Sequence, residues 1–317
     1  MIGRMQALLS ADEIRDANTR YHDVAAATYD SKWGIDFGEV GRAQVLGKLR
    51  KLLGSELDHG FDRALEVGAG TGYFSLNLAR AGVLTHATCT DISPGMVDAL
   101  GDNARRLGLS NVDAVPAEAD SLPFPDESFN IVLGHAVLHH LPDLERSFAE
   151  FERVLAPGGR ILFAGEPSRF GDALARVPKR AAALLSPAWR AALGVRPAPS
   201  LSGNGDAPTG GHEFEPLVDI HAFSPAELAG LVRRAGFVDV HVRGEELLAN
   251  WFGWTNRTLE TTADPTQVPW AWRMYAHRGY LALQEVDRRL LESRLPAAIF
   301  YNLLLAAHKP GASTHGT

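Results

Sequence analysis

The stretch "RALEVGAGTGYFSLNLAR" carries Glu66 and then Gly68, Gly70 and Gly72 within five positions. Glycines spaced this way between an apolar strand and a helix allow a tight turn. They also let a ligand approach the backbone where a Cβ would otherwise stand. Asp91 follows about twenty residues after the turn, where the end of a second strand would hold a carboxylate within reach of two ribose hydroxyls. A nucleoside is the expected ligand.

The spacing narrows which one. A dinucleotide site has the pattern G-x-G-x-x-G, and its third glycine would fall at 73, which is Tyr73. An acid at 66 would repel a pyrophosphate and attract a cation. S-adenosylmethionine has an ammonium, a sulfonium and no phosphate.

Such a turn needs a sheet to hold it. Between 61 and 167, strand candidates "RALEVG", "THATCTD", "NVDAVPAE", "FNIVLGH" and "GRILFAGE" alternate with helical segments, which predicts an α/β parallel sheet with crossover helices. In "DLERSFAEFERVLAPGG", Leu144, Phe148, Phe151 and Leu155 form one stripe, and Pro157-Gly158-Gly159 is the expected stop. Residues 11 to 54 read as two or three helices. "RFGDALARVPKRAAALLSPAWRAALG" reads as two helices broken at Pro178 or Pro187, and the composition after Gly194 is that of a loop. In "FSPAELAGLVRRAGF", Ser224 is the expected N-cap, Pro225 the first helical residue, Glu227 the partner in a capping box and Gly236 the stop. "AIFYNLLLAAHK" reads as a buried final strand.

Four blocks, "LEVGAGTG", "TDISPGMV", "EADSLPFPDESFNIVLGHAVLHHLPD" and "RVLAPGGRILF", resemble the class I S-adenosylmethionine-dependent methyltransferases, in the type 11 subgroup that includes ubiquinone and menaquinone biosynthesis enzymes. The resemblance covers about residues 20 to 167, 221 to 243 and 298 to 309. It implies a Rossmann-like sheet of seven strands, the last antiparallel, with a helical cap formed by the N-terminal helices and two insertions. The implied parts are an N-terminal cap (1–60), a cofactor-binding core (61–167), a basic lid insertion and loop (168–211), a core continuation (212–243), a Trp-rich lid (244–296) and a final strand and tail (297–317). S-adenosyl-L-methionine is the implied cofactor. Gly68, Gly70 and Gly72 would line its methionine and ribose portion, with Glu66 under the turn. Asp91 would bind the ribose hydroxyls, and Ile92 and Met96 would pack on the adenine. Glu118-Ala119 stands where family members usually have Asp-Ala, the acid accepting from the adenine amino group, with Asp120 as a competitor. His135 would contact the methionyl part, and Tyr29 would help close the site.

The chain has 31 basic and 38 acidic residues and a net charge of −7, which argues against nucleic acid as acceptor. The Asn-Pro-Pro-Tyr type of signature is also absent, "LGHAVLHH" standing in its place. One cysteine, Cys89, excludes an internal disulfide, and a cytoplasmic setting is expected. No tight metal signature joins His212, Glu213, Glu215 and His221, so no metal is expected. All six tryptophans lie outside 61–167. Aromatic surface there suits a small-molecule or lipid-like methyl acceptor, or packs a core of its own. The stretch 168 to 200 carries Arg169, Arg176, Lys179, Arg180, Arg190 and Arg196 against Asp172 alone, which suits a solvated face, an acidic acceptor or a peripheral membrane contact. Apolar cap surface could also join two chains in a homodimer.

Methyl transfer is mainly a matter of alignment, and an acceptor of high pKa also needs a base. The candidates in order are Glu166, then His139 or His140, then His212 or His221. A residue pair such as "HH" at a loop-to-helix junction also commonly serves structure alone. O-methylation is the leading expectation, C-methylation of a quinol-like ring the next, and a nucleoside-binding scaffold without turnover the alternative from another class. An NAD-dependent oxidoreductase is opposed by Tyr73.

Overall fold

The computed structural model describes residues 10–26, 29–30, 34–198 and 220–311. Trp33, His212, Glu213 and Glu215 lie outside these. The chain divides into two compact units: Met1–Glu166, Thr209–Val242 and Leu304–Thr317 make one, and Pro167–Pro208 with Arg243–Leu303 make the other.

The first unit is built around a seven-stranded sheet. Its strands are β1 (Phe61–Val67), β2 (Leu84–Asp91), β3 (Val112–Pro116), β4 (Phe129–His135), β5 (Leu155–Pro167), β6 (Val238–Glu245) and β7 (Asn302–His308), in the order β3-β2-β1-β4-β5-β7-β6. The first five run parallel to their neighbours and the last is antiparallel. Leu65 and Val67 of β1, Ile131, Val132 and Leu133 of β4, and Ile161, Leu162 and Phe163 of β5 are all buried. Both faces of these strands are therefore covered, as parallel sheets require. The strand order reverses between β1 and β4, so their carboxyl ends open a crevice at the switch point.

Helices α1 (Ala11–Ala25) and α2 (Glu39–Leu53) precede the sheet. Ser10 and Glu13 close a capping box on α1. After β1 come α3 (Tyr73–Arg80) and, after β2, α4 (Pro94–Arg106), whose N-terminus is capped by Ser93; α5 (Leu144–Val154) leads directly into β5. The predicted stop at Pro157-Gly158-Gly159 comes late: α5 ends at Val154, and those three residues sit inside β5 as an irregularity where the pairing slips between Phe129↔Leu155 and Ile131↔Arg160. Gly158, at φ 76°, gives the chain its bend there.

The second unit contains α6 (Arg169–Leu193), α8 (Leu248–Thr261) and α9 (Trp270–Val286); α7 (Pro225–Arg234) belongs to the first unit and shows the predicted Ser224–Glu227 box. α6 is one continuous helix, where the sequence predicts a break at Pro178 or Pro187. The local chemistry at Pro187 explains part of this. That ring removes the N–H which would bond the Ala183 carbonyl, and the Ser186 hydroxyl donates to the same carbonyl at 2.9 Å instead. Trp189 and Trp272 meet edge to face at 5.2 Å and pack with Val195, Ala263 and Val268, so these tryptophans fill the unit's own core. Asp287, buried, accepts from the backbone N–H groups of Leu248 and Ala249 and so caps α8; burial raises its pKa.

Candidate active site

At the end of β1, Gly68, Gly70 and Gly72 all have left-handed backbones, with φ of 59°, 53° and 94°. A Cβ on Gly68 would stand 2.2 Å from the Val137 side chain, and one on Gly72 would stand 2.7 Å from Leu76. Glycine is thus required twice over, by conformation and by space. Asp91 ties the turn to the second strand: one carboxylate oxygen accepts from Gly70 N–H at 2.8 Å and the other from Ser93 N–H at 2.9 Å.

A cleft of about 800 Å³, its mouth included, opens over this turn. Of the residues predicted for the cofactor, Tyr29, Gly68, Gly70, Asp91, Ile92, Glu118, Ala119 and His135 line it, as does the predicted base His140. The ring of His135 packs against Phe74 at 4.7 Å and Tyr73 at 5.4 Å, in space that a side chain at Gly165 would take. Gly72 and Met96 are not among the lining residues. Met96 is fully buried at the start of α4.

Glu66 lies beneath the turn, also outside the lining, with its carboxylate accepting from Ser75 N–H at 2.9 Å in the first turn of α3. Burial, reinforced by the charge of Asp91, pushes its pKa up to about 7. In the unfolded chain Glu66 ionises near its ordinary 4.5, so between these pH values the folded state holds the extra proton. Stability from this group is therefore expected to fall as pH rises from 4.5 to 7, by on the order of 3 kcal/mol, and to level off above that. Comparing melting temperatures of the wild type and Glu66→Gln from pH 4.5 to 8 checks this, since the variant should lose that part of the slope.

Glu166 corrects the sequence expectation. The first-ranked base is fully buried, and its carboxylate does not line the cleft. One oxygen accepts from Val137 N–H (2.9 Å) and Leu138 N–H (3.0 Å); the other accepts from His139 N–H (3.2 Å) and bonds His139 Nδ1 (2.9 Å). Four contacts leave it no capacity to take a substrate proton. His139 is correspondingly a buried partner of Glu166, and its carbonyl accepts from Ile220 and His221 N–H groups. His221 bonds the Leu141 carbonyl at 3.0 Å, and burial lowers its pKa. The loop so pinned begins at Ala136, a non-glycine residue at φ 54° that lines the cleft.

A match to the methyltransferase domain family model covers residues 65–163. Residues 65–163 form a methyltransferase domain. The chain is similar to a malonyl-[acyl-carrier protein] O-methyltransferase of Methylococcus capsulatus, 34% identical over 53% of this chain and 60% of that protein. It is also similar to a ubiquinone/menaquinone biosynthesis C-methyltransferase of Vibrio vulnificus, 36% identical over 32% of this chain and 39% of that protein. The matches thus span about two fifths to three fifths of these curated relatives' own lengths. The fold is like that of a phosphoethanolamine N-methyltransferase of Haemonchus contortus bound to phosphomonomethylethanolamine and S-adenosylhomocysteine. There the TM-score is 0.57 at 16% identity, over 96% of this chain and 61% of that one.

The methyltransferase domain's cleft also has a wall that sequence reasoning missed. Arg15, Asn18 and His22 of α1 line it. Arg15 pairs with Asp120 at 2.5 Å and with Glu118 at 3.1 Å. Asp120 is the more buried of the two acids, and the half-exposed Glu118 carboxylate is the more open to a ligand. Asn18 donates to the His140 carbonyl at 3.4 Å. The rings of His22 and His140 meet edge to face at 5.7 Å, and His22 lies 6.2 Å from Tyr29. Asp23 accepts from Ser93 Oγ and from Gly95 N–H, tying α1 to the start of α4. The only sequence signal for this wall was the helical period of residues 11 to 25.

Proposed function

We propose that this chain transfers the methyl group of S-adenosylmethionine to an oxygen of a small organic or lipid-like acceptor. The observation that carries the reading is the cleft at the β1/β4 switch point, where Asp91 is held by the Gly70 and Ser93 amides beside a glycine turn with no room for a side chain at Gly68 or Gly72. The residues present fit the cofactor. Acids stand where ribose hydroxyls and an amino group would need acceptors, and apolar Ile92 and Ala119 offer a surface for a flat ring. When bound, the cofactor supplies an electrophilic methyl carbon on a cationic sulfur. The chain's own part is to hold both partners in line and keep water out.

Similarity to an acyl-carrier O-methyltransferase supports a carboxylate or other oxygen acceptor, and similarity to a quinone-pathway C-methyltransferase supports ring carbon as the second reading. In this proposal the protein acts in the cytoplasm on metabolites or lipids and not on nucleic acid. Titration calorimetry with S-adenosylmethionine, S-adenosylhomocysteine and NAD, followed by a screen of carboxylates, acyl-carrier thioesters, phenols and quinols, tests it. Absence of binding by both adenosyl compounds in folded protein would overturn it. Tight binding with no turnover on any acceptor would favour the scaffold reading.

The base, where the acceptor needs one, is His140, the histidine of the "HH" pair that faces the cleft, with His22 beside it. For a phenol or alcohol, His140→Asn is expected to lower kcat by about 100-fold with cofactor affinity little changed. For a carboxylate acceptor, already ionised, kcat should stay within a few fold. Steady-state kinetics of the variant across pH therefore reports on acceptor class as well as on the residue.

A further inference from the structure

We propose that the outer face of α6 docks the chain on an anionic lipid surface. This helix of 25 residues has three faces. Gly171, Ala175, Ala182 and Ser186 are buried inside the second unit. On another side, Phe170 (53% exposed), Val177 (68%), Leu184 (82%) and Leu185 (62%) stand in solvent. At 100° per residue, Phe170, Val177, Ala181, Leu184 and Ala188 fall in one sector, so these residues make a continuous apolar stripe rather than scattered exposures. Such a stripe on one helix marks an interaction surface.

Charge selects the occupant. Arg169, Arg176 and Arg180, all exposed, fall together along one flank of the stripe. The helix holds five basic residues against a single acid, Asp172, in a chain whose net charge is −7. Asp172 neutralises only part of this, pairing with Arg176 at 3.1 Å and Lys179 at 3.8 Å. An apolar stripe with an arginine flank matches the boundary between acyl chains and anionic headgroups. The helix is not apolar enough to cross a membrane, so it would lie on the surface.

The test is sedimentation of the full chain with vesicles of mixed phosphatidylglycerol and phosphatidylcholine, and with phosphatidylcholine alone. The expected result is partition to the anionic vesicles that weakens as salt is raised. Arg176→Glu/Arg180→Glu should weaken it by about thirtyfold or more, and Val177→Glu/Leu184→Glu should weaken it at least as much. All four side chains are exposed, so melting temperature and S-adenosylhomocysteine binding should match the wild type. Those two controls separate failure here from failure of the methyl-transfer reading. No partition to anionic vesicles, or partition that both variants leave unchanged, would overturn the proposal. So would a dimer in light scattering that Val177→Glu/Leu184→Glu dissociates while vesicle binding is absent, since the face would then serve a second copy.

Discussion

Asp91→Ala is expected to weaken binding of S-adenosylmethionine and S-adenosylhomocysteine by about 100-fold or more, measured by titration calorimetry. The carboxylate is held from two sides by backbone amides, at 2.8 Å from Gly70 N and 2.9 Å from Ser93 N. Each oxygen still has a lone pair for a ligand hydroxyl, and charge-assisted bonds of this type contribute roughly 1.5–3 kcal/mol apiece. Truncation loses them and also frees the Gly70 amide, so the turn itself relaxes. Asp91→Asn separates the two effects: its amide oxygen can keep one backbone bond, its NH₂ opposes the other, and the charge is gone. An Asn variant nearly as weak as Ala would assign the loss to the acceptor chemistry. Affinity within threefold of wild type for the Ala variant would remove Asp91 from the cofactor site.

The turn and its acid were legible because short-range chemistry fixes them. Gly68, Gly70 and Gly72 adopt φ values that other residues resist, and Asp91 ends a short strand candidate about twenty residues after the turn. Ser224 and Glu227 cap a helix for equally local reasons. What the sequence obscured depends on contacts between distant positions. Arg15 reaches Asp120 across 105 residues, and nothing near either one announces the other. Glu166 reads as a base because an acid at the end of a fifth strand can face the cleft. Here its side chain turns inward to the loop 137–139, a choice made by three-dimensional packing. The prolines of α6 misled for a related reason: a helix break is the local preference, but the Ser186 hydroxyl and a buried face in the second unit outweigh it.

Glu166 gives the second large effect, and the outcome tests its role as a clamp against the base that the sequence suggests. As the base it would be silent in stability and decisive in turnover. As the clamp seen here, the reverse holds. Glu166→Ala leaves the amides of Val137, Leu138 and His139 and the Nδ1 of a buried His139 without their acceptor. A buried donor left without its acceptor costs about 1–3 kcal/mol, and losing an acceptor shared by several donors corresponds to a fall in melting temperature on the order of 10 °C. Glu166→Gln should fall between this and wild type, because its carbonyl can still serve Val137 and Leu138 while its NH₂ faces the His139 amide. Cofactor affinity should drop with it: the Val137 side chain stands 2.2 Å from where a Cβ on Gly68 would be, so a displaced loop moves against the glycine turn. A cycle with His139→Ala measures the pair directly, and coupling above about 1 kcal/mol is expected for groups sharing one buried network. A Gln variant with unchanged melting temperature and affinity but a hundredfold loss of kcat would return Glu166 to the role of base and take His140 out of it.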